Sequence, residues 1–237
     1  MNLLLLSPTD LVEDKFTNRY RIPLNQFVRL ERKLRSEGSR FHVGVDNGPT
    51  GIAHVLDPSG LVEIAWNPMR TKQLPRLTML IGIPRPKVLK RLCSALAQLA
   101  VAEVRFVVTE LTERSYLASH MLHTDTIMDA LRDGAEQACL TCLPHVSVDR
   151  SLAASLLHLP HCERRFVMTQ NGPHLKSDCP PSHTDPDSET IIAVGGEHGF
   201  SDHEKALLAA HHFSSCSLGD FTLRVDVAVI AAIGRLR

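Results

Sequence analysis

The residues best suited to chemistry form a glycine-rich stretch near the C-terminus, Val194-Gly195-Gly196-Glu197-His198-Gly199-Phe200-Ser201-Asp202-His203-Glu204. The apolar run over residues 190–194 predicts a strand that opens into a glycine turn. Ser201 and Glu204 have the spacing of a reciprocal capping box, which predicts a helix beginning there. Such a turn would present free backbone N–H groups to a carboxylate or phosphate. A plain tight turn is the alternative, and the spacing matches neither a dinucleotide-binding nor a triphosphate-binding loop.

Cysteine and histidine offer a different chemistry. Cys139 and Cys142 form a C-x-x-C pair, which would suit zinc or thiol redox chemistry. The pair falls in a predicted helix, no second C-x-x-C follows, and His161-Cys162 is the nearest supplement. The pairs His158-x-x-His161 and His211-His212 also lack a completing ligand set. We therefore expect reduced thiols and no metal site.

Composition is that of a soluble globular protein with one or two domains. The chain has 237 residues, of which 43% are hydrophobic and 22% charged. Lys plus Arg equals Asp plus Glu at 26 each, so no global field predicts a polyanionic partner. The opening apolar run is too short for a secretion signal, and no run approaches the ~20 residues that span a bilayer. We expect a cytoplasmic protein with no membrane partner.

The elements that would position the glycine turn divide into two parts. Residues 1 to 72 show short apolar runs between turn signals, which predicts a small β-rich domain. The stretch Asn67–Pro75 contains two prolines and is the best linker candidate. From Arg76 strands and helices alternate, which predicts an α/β domain around a mainly parallel sheet. Ligands bind such sheets at the carboxyl ends of strands, where the glycine turn lies.

The patterns predict strands over residues 3–6, 41–45, 52–56, 61–66, 77–83, 105–111, 165–169 and 190–194. They predict helices over residues 86–101 and 125–142, and further helices from Ser201 and from about Val225. The polar segment Ser177–Glu189 predicts a surface loop.

Basic residues cluster in two places and could contact phosphates. The first cluster shares its stretch with only two acids and comprises Arg19, Arg21, Arg29, Arg32, Lys33, Arg35 and Arg40. The second comprises Arg85, Lys87, Lys90 and Arg91. A solvated charged face is the alternative for both. Aromatic residues make up only 5%, which argues against an extended base-stacking platform.

Short motifs follow one another in a recognisable order over nearly the whole chain. They are the apolar start over residues 1–6, Leu34-Arg35 with Gly38, Val43–Gly48, Ile83–Lys87, Glu113–Tyr116, Ala135–Gln137 through Leu143-Pro144, Gly195–Phe200, and Leu218–Ala228. In this order and spacing the chain resembles the RsmE family of ribosomal RNA methyltransferases. These are SPOUT-class enzymes that methylate uracil N3 of a uridine in small-subunit ribosomal RNA.

The resemblance implies a PUA-like β-rich RNA-binding domain over residues 1–72 and a SPOUT methyltransferase domain with a C-terminal trefoil knot over residues 73–237. It also implies a homodimer through the knot, with ribosomal RNA or the small ribosomal subunit as partner. The cofactor implied is S-adenosyl-L-methionine, bound by Met168, Thr169, Val194, Gly195, Gly196, Glu197, Gly199, Leu218, Gly219 and Leu223. With RNA as substrate, contact is favoured for Arg19, Arg21, Arg29, Arg32, Lys33, Arg35, Arg85 and Lys87.

The chemistry of the implied reaction suggests roles for a few side chains. Uracil N3 is a poor nucleophile until its proton leaves, so the site needs a base or donors that stabilise the anion. We hypothesise that Arg224 stabilises the anion or anchors a phosphate, and that Asp226 or Glu197 assists deprotonation. Arg114, with Glu136 and Gln137, would shape the RNA-facing wall. A buried polar network bracing the knot is the alternative for these three residues.

The chain departs from the family pattern in both diagnostic loops. Gly196 replaces a proline, and His198 replaces a glycine, where a side chain could clash with cofactor or force a different turn. In the second loop, Asp220-Phe221-Thr222 replaces proline-arginine-isoleucine, and Asp226-Val227 replaces glutamate-threonine. Two hypotheses stay open: an active methyltransferase, and a catalytically weak or inactive knotted RNA-binding protein acting in ribosome assembly. A zinc or thiol-redox protein built on Cys139 and Cys142 is the third.

Overall fold

The computed structural model describes residues 2–10, 12–14, 19–67, 75–160, 162, 164–175 and 189–236. Most of the predicted linker (68–74), most of the predicted loop (177–188) and the side chain of Lys33 lie outside the described part of the chain. The chain divides into two compact units, which are described separately. The first is Met1–Gln73 with Arg132–Leu143, and the second is Leu74–Leu131 with Pro144–Arg237.

The first unit is built on a six-stranded sheet. In chain order its elements are β1 (Leu4–Leu6), β2 (Val12–Asp14), β3 (Arg19–Arg21), α1 (Leu24–Phe27), β4 (Arg40–Val45), β5 (Thr50–Val55) and β6 (Leu61–Asn67). The sheet order is β1-β4-β5-β6-β3-β2, in which β1 and β4 are parallel and every other pair is antiparallel. Alternate strand residues enter a core that includes Leu6, Phe27, Val43, Ala53 and Val62.

The second unit is a mixed α/β fold around a parallel sheet, as predicted. Its elements are β7 (Leu77–Gly82), α2 (Pro86–Gln98), β8 (Glu103–Val107), α3 (Arg114–Leu117), α4 (Thr124–Ala138), β9 (His145–Asp149), α5 (Leu152–Leu156), β10 (Arg164–Met168), β11 (Thr190–Val194), α6 (Asp202–Ala210), β12 (Ser214–Cys216) and α7 (Val225–Arg235). All five strand pairings are parallel, in the order β12-β10-β11-β7-β8-β9. The last turns of α4, from Arg132, belong to the first unit.

The central strands are apolar because both faces of the parallel sheet are covered. Every residue of β7 and β11 is buried. On one face, Leu80 and Ile191 pack with Leu152 of α5 and Leu208 of α6. Neighbouring residues of the same strands point to the other face, where α7 packs against β11 and α2 packs against α7. This burial keeps the carboxyl ends of the central strands in register.

The helix predicted over residues 86–101 is α2, which ends at Gln98, and two further elements end four residues earlier than predicted. The strand predicted over residues 105–111 is β8, which ends at Val107 because the next residues form a turn in which Thr112 Oγ1 accepts the backbone N–H of Thr109 at 2.8 Å. The helix predicted over residues 125–142 is α4, which ends at Ala138, since Cys139 takes a φ of 55°. The placement of Cys139 and Cys142 inside that helix is therefore wrong.

Neither a metal cluster nor a disulfide is found in the part of the chain that the structure describes. No group of three or more His, Cys, Asp or Glu side chains there could hold a metal ion. Cys93, Cys139, Cys142, Cys162 and Cys216 form no disulfide. Among the helices of the described ranges, none is long and apolar enough to cross a bilayer.

Glu136 has a structural position in the first unit. It is 2% exposed, its backbone oxygen accepts the N–H of Leu3, and its Oε1 accepts the N–H of Leu5 at 3.1 Å. These bonds satisfy backbone donors on β1 and on the residue directly before it, and β1 is a strand at the edge of its sheet. Glu136 Oε2 accepts from Arg29 Nη2 at 2.8 Å. Glu136 thus belongs to a buried polar network, which was the alternative to an RNA-facing role. This network stabilises β1 and not the C-terminal loops.

Candidate functional site

Three loops meet at the carboxyl ends of three neighbouring parallel strands. The strand β10 is hydrogen-bonded to β11 on one side and to β12 on the other. The loops that follow these strands cover residues 169–175, 195–201 and 217–224. Together with the strand ends they line a cavity of about 510 Å³, which we call the three-loop cavity. Its volume is in the range of small-molecule sites.

The residues predicted from the sequence to bind cofactor lie together in this cavity. All ten residues predicted to bind cofactor line it: Met168, Thr169, Val194, Gly195, Gly196, Glu197, Gly199, Leu218, Gly219 and Leu223. Ten further lining residues were not singled out as contacts: Gln170, Asn171, His198, Phe200, Lys205, Ser215, Phe221, Thr222, Val225 and Ala228. Lys205 had a sequence signal, because it follows the predicted capping box directly. The binding roles of these residues stay predictions.

The glycine turn owes its shape to two glycines. Gly199 has a φ of +72°, in the left-handed region that glycine adopts without strain. A Cβ placed on Gly195 would lie 2.6 Å from Gly199 Cα, so only glycine fits this close approach. His198 is exposed and is not among the described residues with a positive φ. The histidine at this position is therefore compatible with the turn.

The predicted capping box is present at the start of α6. Ser201 Oγ accepts the N–H of Glu204 at 3.1 Å, and Glu204 Oε2 accepts the N–H of Ser201 at 3.0 Å. Glu204 Oε1 also accepts the N–H of Glu110 at 3.0 Å. The Glu110 carboxylate in turn accepts from Ser201 Oγ at 2.5 Å and lies 2.7 Å from His203 Nδ1, and these hydrogen bonds lower the pKa of Glu110. The end of the glycine turn is thereby joined to the loop after β8.

The first and third loops are joined by hydrogen bonds. Thr169 donates its N–H to the oxygen of Cys216 at 2.8 Å, and Ser217 donates its N–H to the oxygen of Pro173 at 2.7 Å. Gln170 Nε2 donates to Thr222 Oγ1 at 3.0 Å, which adds a side-chain link. These bonds hold two walls of the three-loop cavity together.

Asp226 and Arg224 lie beside the cavity at the start of α7. Asp226 is 6% exposed and forms ion pairs with Arg91 of α2 and, at 3.4 Å, with Arg224 Nε. Arg224 is the N-cap residue of α7, and its side chain is 63% exposed. Both oxygens of Asp226 face guanidinium groups, and Asp226 does not line the cavity. This geometry suits a positioning role for Asp226 better than the predicted role as base.

Glu197 is the second carboxylate predicted to assist deprotonation, and it does line the cavity. Its Oε1 accepts the backbone N–H of Arg85 at 2.9 Å, and its side chain is 22% exposed. Arg85 Nε donates to the hydroxyl of Tyr116 at 3.3 Å. Arg114 and Lys87 are exposed on α3 and α2 and are not among the residues that line the cavity.

The predicted RNA-binding arginines of the first unit divide into two groups. Arg19 and Arg21 are exposed on β3, on either side of buried Tyr20. Arg32 is exposed and Arg35 is half-buried in the turn that follows α1. Arg29 is different, because its guanidinium is paired with Glu136 and Asp133 and also donates to Gln26. Its predicted contact with RNA stays a prediction.

The chain is similar in sequence to known RNA methyltransferases. A family described as "RNA methyltransferase domain" matches residues 71–237. A ribosomal RNA small subunit methyltransferase E 1 from Borreliella burgdorferi is 34% identical over 164 residues, which cover 68% of this chain and 67% of that protein. The chain belongs to the RsmE family of RNA methyltransferases. The family resemblance drawn from the sequence motifs is therefore confirmed.

Other RsmE proteins resemble the chain over nearly its full length. A ribosomal RNA small subunit methyltransferase E from Treponema pallidum is 29% identical over 244 residues, covering 98% of this chain and 89% of that protein. The crystal structure of an RsmE protein from Neisseria gonorrhoeae bound to S-adenosyl methionine matches with a TM-score of 0.80, over 99% of this chain and 95% of that one. The Neisseria gonorrhoeae protein is 18% identical to this chain, so the similarity to its structure shows a common fold.

Proposed function

We propose that this RsmE-family protein transfers a methyl group from S-adenosylmethionine to N3 of a uracil in small-subunit ribosomal RNA. The observation that carries the proposal is the three-loop cavity, in which three loops from adjacent parallel strands converge on one space of about 510 Å³. The names of the curated relatives support ribosomal RNA as the substrate. The cofactor in the Neisseria gonorrhoeae structure supports the choice of methyl donor.

The residues of the cavity fit this cofactor. Gly195 packs against Gly199 with no room for a side chain, so backbone N–H and C=O groups line that wall and are able to read the edge of an adenine. Leu218 and Leu223 supply apolar side chains that would enclose the base. When bound, S-adenosylmethionine supplies an electrophilic methyl group on a positively charged sulfur.

The chain's own residues would prepare the uracil. The N3–H bond must break before N3 is nucleophilic, and Glu197 is the carboxylate that lines the cavity and is able to take that proton. Arg224 would donate to the oxygens of the uracil anion as the charge develops. Asp226 contacts Arg224 Nε at 3.4 Å and would orient its guanidinium, while Arg91 balances the charge of Asp226. Arg114 would contact RNA outside the cavity.

We propose that the first unit is a PUA-like RNA-binding domain and the second a SPOUT domain. Exposed Arg19, Arg21 and Arg32 support contact with phosphates, and half-buried Arg35 adjoins them in sequence. In the second unit, Arg85 and Lys87 are exposed where the chain enters α2 and support a second phosphate contact.

We further propose that the C-terminal segment forms the family's trefoil knot and pairs with a second copy. The strand order supports the knot, since β11 lies between β10 and β7 while β12 lies beyond β10. Val227 and Ile230 support the dimer, because they are three residues apart on α7 and each is 44% exposed. Sedimentation of Ile230→Glu checks this: a monomer is expected, and an unchanged dimer would contradict the proposed contact.

Two measurements test the proposed function. Calorimetry should detect binding of S-adenosylmethionine to the purified protein. Small ribosomal subunits that lack the modification should accept labelled methyl from the cofactor, and reverse transcription should stop at the modified base because N3 methylation blocks base pairing. RNA binding without cofactor affinity would instead support the second hypothesis, a non-catalytic protein acting in ribosome assembly.

A further inference from the structure

The charges that line the three-loop cavity are few. Among the described residues that line it, Lys205 is the only one with a permanent positive charge and Glu197 is the only carboxylate. His198 adds an imidazole. The remaining lining residues are apolar or neutral, so an anionic group entering the cavity has one strong partner there.

Lys205 is available to such a group. Its Nζ donates to Asp202 Oδ1 at 2.9 Å, three residues earlier on α6. The Asp202 side chain is 99% exposed and that of Lys205 is 51% exposed. Exposed pairs of this kind add little to stability, because water solvates both partners nearly as well. Exchanging Asp202 for another carboxylate therefore costs the fold little.

The position of Lys205 also favours an anion. It is the fourth residue of α6, a helix of nine residues whose positive end follows the glycine turn. S-adenosylmethionine carries one carboxylate, on its amino-acid part, and a carboxylate forms a strong charge-assisted hydrogen bond with an ammonium side chain. The remainder of the cofactor presents an adenosine, a sulfonium and an ammonium group, none of which carries a negative charge.

We propose that Lys205 is the residue of the cavity that recognises the carboxylate of the methyl donor, by exchanging its partner Asp202 for that carboxylate. The inference rests on the proposed function and adds to it a determinant of cofactor specificity. It gives Lys205 a role in selecting the complete amino-acid part of the cofactor, while the three loops select the adenosine part.

Calorimetry with two ligands tests the inference without relying on activity. The probes are S-adenosylmethionine and decarboxylated S-adenosylmethionine, which differ by the carboxylate alone. Lys205→Met keeps the apolar stem and removes the charge. We expect it to weaken S-adenosylmethionine binding about tenfold, the size of one charge-assisted hydrogen bond, and to leave binding of the decarboxylated analogue within about twofold. The wild-type protein should bind the analogue about tenfold more weakly than the cofactor.

Two variants control for other effects. Lys90→Met removes an exposed lysine on α2 that does not line the cavity, and it should change neither affinity. Asp202→Asn breaks the exposed pair but keeps Lys205, and it should leave cofactor affinity the same or slightly higher. Equal weakening of both ligands by Lys205→Met, or no weakening of either, would overturn the inference and leave the proposed function standing. A wild-type protein that binds neither ligand would overturn both.

Discussion

Arg91 of α2 and Asp226 of α7 form an ion pair whose carboxylate is almost fully buried and whose guanidinium is mostly exposed. Asp226 also faces Arg224 Nε at 3.4 Å. A buried carboxylate needs such partners, since losing one of them leaves its charge poorly compensated. The pair joins α2 to α7 and fixes Asp226, which contacts Arg224. Arg224 is the residue that we propose stabilises the uracil anion.

Replacing Arg91 should therefore affect both stability and turnover. We expect Arg91→Met to lower the free energy of unfolding by about 1–3 kcal/mol, because Asp226 then keeps only the longer contact to Arg224. The kcat for methyl transfer should fall while cofactor affinity changes little, since neither residue lines the cavity. Urea unfolding and steady-state kinetics measure the two effects. In an Asp226→Asn background the same substitution should cost much less, and equal costs would refute the coupling.

Gly195→Ala should damage the cavity because its Cβ would lie 2.6 Å from the backbone of Gly199. Relief of that overlap requires the glycine turn to move, at a cost of about 1–3 kcal/mol. We expect cofactor affinity to fall at least about tenfold in calorimetry. Gly234→Ala is the matched control, because Gly234 is exposed on α7 and a Cβ there meets nothing within 4 Å. It should stabilise the protein by roughly 0.5–1 kcal/mol. Similar effects of the two substitutions would contradict the assignment.

Glu136 should make stability depend on pH. Burial raises the pKa of Glu136 above its ordinary value of 4.5, more than the Leu5 N–H and Arg29 lower it. The folded state then holds this proton more tightly than the unfolded chain, so the contribution of Glu136 to stability falls as pH rises from about 4.5 through the folded pKa. Glu136→Gln cannot ionise. Its free energy of unfolding should therefore rise relative to that of wild type between pH 4 and 7, as urea titrations would show. A constant difference would contradict the raised pKa.

Arg32 and Arg29 should behave differently when each is replaced by alanine. Arg32 is exposed, so its loss should weaken RNA binding and reduce the salt dependence of that binding by about one counterion, with stability unchanged. Arg29 pairs with Glu136, so its loss should lower the free energy of unfolding by about 1–3 kcal/mol. Filter binding at several salt concentrations and urea unfolding measure these effects. The reverse pattern would contradict a structural role for Arg29 and support its contact with RNA.

The sequence predicted long or strongly marked elements well. The apolar run of β11 and the capping box of α6 are local patterns, and both are present where they were expected. The strands β3, β9 and β12 were not anticipated, because their residues are largely polar or exposed and form no apolar run. The helix α5 was missed because five residues are too few to show a helical period. The end of α4 was misplaced because a positive φ at Cys139 is not visible in a helix-like pattern.

The sequence by itself determined the family, through the order of its short motifs, and the α/β class of the second unit, through local periodicity. Tertiary structure decided which arginines form ion pairs with carboxylates. Arg29 and Arg32 belong to one basic stretch, yet only the fold brings Glu136 to Arg29 from more than a hundred residues away. In the same way, only the packing of α2 against α7 joins Arg91 to Asp226. Charge pairing depends on distances in space, and those are set by the packing of elements that are far apart in the sequence.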